Sequence, residues 1–259
     1  MINGRLKDKV VIITGATRGI GRGIAMVVAA EGGNVIVSGR NEIEGKELVE
    51  EIKDSYNMDA LYVPCDISIV ENCRDLIENA VSHFGKIDGL VNNAGIFPYK
   101  PLLEVEEEDF DYIFDVNIKG AFFCIKYALK EMLVKNGGSI INIGSTHAYG
   151  GNQELSVYSC SKGALHTLTK HVALNYAKYG IRSNWITVGW VLTPGEIRGA
   201  QNRGIEIDNL KERAYKVMPE SKFQTVEDIA HGAVYLLSDE AAQVTGTDLH
   251  ITGGFNLPH

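Results

Sequence analysis

Short, continuous apolar runs alternate with longer segments of helical period along this chain. The runs lie at 10–13 (Val-Val-Ile-Ile), 34–38, 60–64, 89–91, 139–143, 181–188 and 248–251. Most are apolar at consecutive positions rather than at every second one, which fits parallel strands covered on both faces. Between them, segments 20–31, 43–56, 69–84, 110–133, 158–179 and 226–238 carry apolar residues at helical spacing. Strand and helix alternate from end to end. The pattern therefore predicts a doubly wound α/β parallel sheet, with one domain over residues 1–259. In such a sheet, right-handed crossovers put ligand sites at the carboxyl ends of the strands.

The 259 residues, 45% of them hydrophobic, suffice for one such core. A formal net charge of -8 repels phosphate backbones and anionic lipid, so neither nucleic acid nor a membrane surface is an expected partner. The first nine residues lack the apolar core of a secretory signal, and no apolar run reaches the ~18 residues of a membrane helix. A cytoplasmic protein is expected. Cys65, Cys73, Cys124 and Cys160 have neither metal-knuckle nor redox-pair spacing and read as packing residues of a reduced compartment. The histidines are scattered, and no metal site is expected.

Thr14-Gly15-Ala16-Thr17-Arg18-Gly19-Ile20-Gly21 closes the first strand and opens a helix. Side chains at 15 or 19 would obstruct a tight turn or keep a pyrophosphate off the backbone, and Gly21 lets the helix pack close to the strand. The helix N-terminus offers unpaired N–H groups to phosphate. The spacing is Gly-x-x-x-Gly-x-Gly, and no Gly-Lys-Ser/Thr follows, which argues against a P-loop.

Further along, in order, come Asp66 after the third strand, Asn92-Asn93-Ala94-Gly95 after the fourth, and Asn117 in the next helix. Ser145 follows the fifth strand, and then Tyr158-x-x-x-Lys162. Over nearly its whole length the chain resembles the short-chain dehydrogenase/reductase family. The resemblance implies a Rossmann-like fold, a nicotinamide cofactor and interconversion of a carbonyl and an alcohol. It implies Asn117, Ser145, Tyr158 and Lys162 as catalytic residues. Cofactor contacts are implied for Gly15, Thr17, Arg18, Gly19, Ile20 and Gly21, for Asp66 and Ile67 at the adenine, and for Asn93, Ala94 and Gly95 beside the adenosine ribose. An N-cap is the competing reading of Asp66, and strand stitching that of Asn92 and Asn93. After the sixth strand the family's Pro-Gly becomes Val188-Gly189 here. Val188, Gly189, Val191 and Thr193 still match the stretch that holds the carboxamide and pyrophosphate. Family members are commonly homotetramers, joined through the long helices that bear Asn117 and Tyr158 and through the terminal region.

Tyr158 and Lys162 stand four apart, one helical turn along a single face. A phenol titrates near pH ~10 in isolation, and a nearby ammonium lowers that value. Lys162, together with the positive ring of an oxidised nicotinamide, is expected to bring Tyr158 to about 7, at roughly 4 kcal/mol of differential stabilisation. The phenol then exchanges a proton with the substrate oxygen near neutral pH. Ser145 is a neutral donor suited to the same oxygen. In the family the lysine also binds the nicotinamide ribose, and the residue matching Asn117 positions a relay water.

The second strand ends Ser38-Gly39-Arg40. NAD-specific relatives usually carry an acidic residue where Gly39 stands, to bind the ribose 2′-hydroxyl. Arg40 and Arg18 instead suit a 2′-phosphate. NADP(H) is the expected cofactor, with NAD(H) the alternative.

Residues 195–223 lack strand period and are rich in glycine and charge. They read as a mobile lid with a short helix near 208–217. Glu196, Arg198, Arg203 and Glu206 make it polar. This favours a small carbonyl or alcohol substrate such as a sugar, polyol or sugar acid over a long acyl chain. His147, Gln153 and Trp190 are candidate substrate contacts, with ordinary packing the alternative for each. Some family members reduce 3-oxoacyl groups on acyl carrier protein and often carry a basic docking residue where Leu174 stands. That activity is the first alternative. A catalytically silent nucleotide-sensing protein is the second, and the intact set of Asn117, Ser145, Tyr158 and Lys162 speaks against it.

Overall fold

The computed structural model describes residues 4–219 and 221–255. Strands β1 (Val10–Ile13), β2 (Asn34–Gly39), β3 (Ala60–Pro64), β4 (Gly89–Asn92), β5 (Gly138–Ile143), β6 (Ile181–Val188) and β7 (Asp248–Ile251) form one parallel sheet. Its order is β3-β2-β1-β4-β5-β6-β7. Each strand lies within a residue of its expected limits, for a physical reason. Val10 and Ile12 enter one buried cluster, with Ile36, Leu90 and Ile140; Val11 and Ile13 enter the other, with Val35, Val37 and Val91. A strand buried on both sides must be apolar at consecutive positions.

Helices α1 (Gly19–Ala30), α2 (Glu42–Tyr56) and α9 (Val226–Leu237) cover the face bearing Val11 and Ile13, while α3 (Val70–Phe84) and α5 (Gly120–Lys135) cover the second, bearing Val10 and Ile12. On that second face α6 (Ser156–Tyr176) packs against β6. The chain runs β1, β2, β3 in one direction and then returns to β4 on the far side of β1. The crevice at the carboxyl ends of β1 and β4 is the switch point where doubly wound sheets bind ligands.

Two expectations are corrected. The single helix over 110–133 is interrupted. Helix α4 (Glu107–Phe114) starts with a capping box between Glu106 and Asp109, a π-helical turn spans Asp115–Lys119, and α5 follows. π-turns recur at functional sites, and this one carries Asn117. The segment 195–223 holds two helices, not one: α7 (Pro194–Asn202) and α8 (Ile207–Val217). The start of α7 is written in the sequence as Thr193-Pro194-Gly195-Glu196. Thr193 caps the helix by accepting from the Glu196 N–H at 3.2 Å, and Pro194 takes the first turn.

Candidate active site

The crevice is assembled by hydrogen bonds between loops. Thr14 Oγ1 accepts from the N–H groups of Asn93 (3.0 Å) and Ala94 (3.1 Å). Asn93 Nδ2 donates to the carbonyls of Thr14 (2.9 Å) and Gly15 (3.1 Å). Asn92 Nδ2 donates to Asn142 Oδ1 at 2.8 Å, tying β4 to β5. Asn93 thus stitches the turn after β1 to the loop after β4, while Asn92 joins β4 to β5.

The residues fit a dinucleotide. Gly15 has φ +62°, and a Cβ there would stand 2.9 Å from the Ala94 Cα. Gly19 has φ +58° and faces Thr193 across the cleft, 3.6 Å from where its Cβ would be. Arg18 precedes α1 without any side-chain cap, so the first N–H groups of the helix remain open to an anion. Ile20, Asn93, Gly95, Val188, Gly189, Val191 and Thr193 line one continuous cavity with Ser145, Tyr158 and Lys162; Asn117 stands outside its lining. Thr17 is buried against Gly39, whose Cβ would stand 2.8 Å from the threonine methyl. A side chain at position 39 therefore has no room without displacing Thr17.

A second cavity is lined by Arg40, Tyr62, Val63, Cys65 and Asp66. Asp66 Oδ1 accepts from the Ser68 N–H (3.0 Å) and hydroxyl (2.7 Å). Burial raises its pKa, but these hydrogen bonds and Arg40 outweigh burial and hold the carboxyl below its ordinary value. Arg40 lies 4.0 Å from that carboxylate with a largely exposed side chain, and Arg18 is exposed as well. Ile67 is buried against Gly120, where any Cβ would strike its carbonyl oxygen at 2.5 Å, so glycine lets the helix meet this loop.

Tyr158 and Lys162 project from α6 as the spacing requires, but not as an acidified pair. Lys162 is buried and donates to the Ile143 carbonyl at 2.9 Å, with its ammonium 5.8 Å from the centre of the Tyr158 ring. Burial pushes the phenol up to about 12, against the opposing hydrogen bond from Ser145, and Tyr99 and Glu196 push it further up. Burial likewise pulls Lys162 down to about 8. The expected lowering of Tyr158 by its lysine neighbour is therefore absent from the protein alone: desolvation dominates both groups. Ser145 is buried, its Oγ accepting from the His147 N–H at 3.1 Å.

Asn117 is completely buried, and its side chain is committed. Its Oδ1 accepts from the Ile96 N–H (2.8 Å), and its Nδ2 donates to the Ile96 carbonyl (2.8 Å) and to Ser161 Oγ (3.0 Å). It braces the loop carrying Gly95 against α6. A Cβ on Gly95 would lie 3.3 Å from Asn117 Oδ1 and 3.5 Å from Lys162 Nζ.

The catalytic cavity measures ≈ 450 Å³, within the range of small-molecule sites. His147 lines it edge-on to Tyr158, and burial lowers the imidazole pKa. Trp190 lines it too, packed on Phe223 and Phe255. Gln153 is exposed and stands outside the lining, whereas its neighbours Asn152 and Glu154 belong to it. Among the described residues, no group of His, Cys, Asp and Glu side chains could hold a metal ion, and no helix is long and apolar enough to cross a membrane.

A family model described as enoyl-(acyl carrier protein) reductase matches residues 15–256. The chain belongs to the short-chain dehydrogenase/reductase family. As a member it is an NAD(P)-dependent oxidoreductase. An uncharacterized oxidoreductase of Thermotoga maritima is 37% identical to it over 96% of this chain and 97% of that one. A 3-oxoacyl-[acyl-carrier-protein] reductase of Staphylococcus aureus is 36% identical over 96% and 98%. A short-chain alcohol dehydrogenase structure from Sinorhizobium meliloti superposes with a TM-score of 0.90 at 33% identity, covering 98% of each chain. A single-substitution variant of actinorhodin polyketide ketoreductase with NADPH gives 0.92 at 29%, covering 98% of this chain and 100% of that one.

The cavity of this short-chain dehydrogenase/reductase is also lined by residues that sequence reasoning did not place there. Phe97 packs edge-on against Tyr158 with ring centres 6.0 Å apart, and Tyr99 against Phe97 at 6.4 Å. Both line the cavity. Two aromatics just beyond a strand's carboxyl end were the available signal. Glu196, expected among the lid's polar residues, is buried and lines the cavity, accepting from Trp190 Nε1 at 3.1 Å. Burial raises its pKa above the usual carboxylate value. Its position at the third residue after the Thr193 cap was the legible hint.

Proposed function

We propose that this enzyme interconverts a ketone and a secondary alcohol on a small polar substrate, using NADP(H), with Tyr158 as proton donor and acceptor. One observation carries the reading. Ser145 and Tyr158 line one ≈ 450 Å³ cavity whose walls also include Glu154, Glu196, Arg203 and Arg213. The charged groups, set among apolar wall residues such as Phe97, Leu155 and Val191, favour a substrate with a polar end over a plain acyl chain.

A nicotinamide dinucleotide, when bound, supplies or accepts the hydride and in its oxidised form brings a positive ring beside the phenol. Gly15, Gly19 and the open end of α1 would hold its pyrophosphate, and Arg18 and Arg40 a 2′-phosphate. The absence of an acidic side chain at Gly39 supports NADP(H) over NAD(H). Ser145 and Tyr158 hold the substrate oxygen between two hydroxyl donors. Because burial keeps the phenol protonated at neutral pH, Tyr158 is poised to give its proton to a carbonyl oxygen. Lys162 favours that transfer by placing an ammonium near the phenolate left behind. Asn117 holds the Gly95 loop and α6 in register for both. Half-exposed aromatics Phe110, Tyr112 and Phe122 on α4 and α5 supply an apolar face for a homotetramer in the cytoplasm.

The deciding experiment is Tyr158→Phe, assayed by NADPH oxidation over a panel of small polar ketones. Loss of one positioned acid lowers kcat about 10²–10⁴-fold, with circular dichroism unchanged. Undiminished turnover refutes the mechanism. The staphylococcal relative supports a second reading, 3-oxoacyl reduction, which predicts preference for 3-oxoacyl thioesters in the same panel.

A further inference from the structure

Arg203 and Arg213 both line the catalytic cavity, from the end of α7 and from α8. In a chain with 33 acidic residues, neither forms an ion pair with any carboxylate among the described residues. Arg213 is exposed, but Arg203 is half-buried and held. Its guanidinium carbon sits 3.6 Å from the centre of the Tyr99 ring, and its Nε donates to the Gly199 carbonyl at 3.0 Å. Stacking fixes the plane of the guanidinium, and the Nε bond fixes its rotation. Its terminal nitrogens, which also interact with the Tyr99 side chain, form a planar fork of the kind that binds an anion bidentately. Glu196 lines the same cavity and interacts electrostatically with Arg203, but no ion pair forms between them.

The fork is also placed relative to the chemistry. Tyr158, Phe97 and Tyr99 form a file of ring contacts at 6.0 Å and 6.4 Å that ends on Arg203. Tyr158 and Arg203 line the same cavity, so one bound molecule can meet the phenol at one end and the guanidinium at the other. Resting on the carbonyl–alcohol reading above, we propose that the substrate carries a carboxylate or phosphate several atoms from the reacting carbon, and that Arg203 is the specificity-determining residue that holds this anion.

The test is a set of matched ketone pairs with NADPH. Oxo acids with the oxo group at increasing distance from the carboxylate are compared with their methyl esters, and phosphorylated ketoses with the parent sugars. The wild-type enzyme is expected to favour the charged member of one pair by about 10–100-fold in kcat/KM, the range of a charge-assisted hydrogen-bonded pair. The acid arm and the phosphate arm tell the two anions apart. Arg203→Gln should lower that ratio by about tenfold or more, acting mainly through KM, and Arg203→Lys should restore only part of it. Equal use of both members by the wild-type enzyme overturns the proposal, whether or not the variants fold. So does an Arg203→Gln enzyme that loses both members alike, and so does preference for a 3-oxoacyl thioester. Those results leave the oxidoreductase reading standing. Failure of every ketone and thioester to oxidise NADPH, in protein that binds the nucleotide, defeats that reading itself.

Discussion

Replacing Lys162 with methionine should make the protein more stable while destroying its activity. Lys162 is 4% exposed; among the described residues it has no carboxylate partner, and it donates to the Ile143 carbonyl. Burial alone lowers its pKa from 10.5 to about 8. The difference between 10.5 and about 8 corresponds to roughly 3 kcal/mol. At pH 7 the folded and unfolded lysines are both charged, so folding bears this whole cost. Between about pH 8 and 10.5 the unfolded chain keeps a proton that the folded one has released, and stability rises with pH. Methionine has nearly the same length and no charge to desolvate. It forfeits the bond to Ile143, worth about 1 kcal/mol. The net gain at pH 7 is about 2 kcal/mol, or about 4–8 °C in Tm for a chain of this size. Thermal unfolding of both proteins without cofactor, from about pH 6.5 to about 10, measures the difference. The wild-type curve should climb through this window, with the gap shrinking as it does. A Lys162→Met protein that melts lower at pH 7 and follows the same pH profile would refute the reasoning.

Three further outcomes follow from the same physics. Tyrosinate absorbance of the wild type minus that of Tyr158→Phe should show this phenol titrating well above pH 10 without cofactor and lower with oxidised cofactor bound; titration near 7 in the free protein contradicts the desolvation argument. Asp88 accepts from Lys86 (2.8 Å), Lys135 (2.7 Å) and the Val10 N–H (2.8 Å), and these hold its pKa below 3.8 despite burial. Its contribution is present above 3.8 and vanishes as pH falls through the folded value, so Asp88→Asn should cost about 1–3 kcal/mol at pH 7 and nothing in strong acid, as read by urea melts at both pH values. Arg40→Ala should weaken NADPH binding about tenfold or more and NADH binding far less, by fluorescence titration; equal weakening removes the arginine from a 2′-phosphate site.

The sequence alone determined the sheet and the identity of the central chemical groups. A strand covered on both faces has to be apolar at consecutive positions, so β1 to β7 could be read almost to the residue. Gly15, Gly19, Tyr158 and Lys162 were legible because a tight turn and a helical repeat fix their neighbours at short range. Tertiary structure decided what those groups do to one another. The one-turn spacing put Lys162 beside Tyr158, but the ammonium points to Ile143, and walls contributed by distant segments desolvate both groups. The same holds for the π-turn that lets Asn117 grip Ile96, for Glu196 buried under Trp190, and for Arg203 laid on Tyr99. Each depends on which surfaces meet across the fold, and burial, which sets charge and hydrogen-bond partners, is not a local property of the chain.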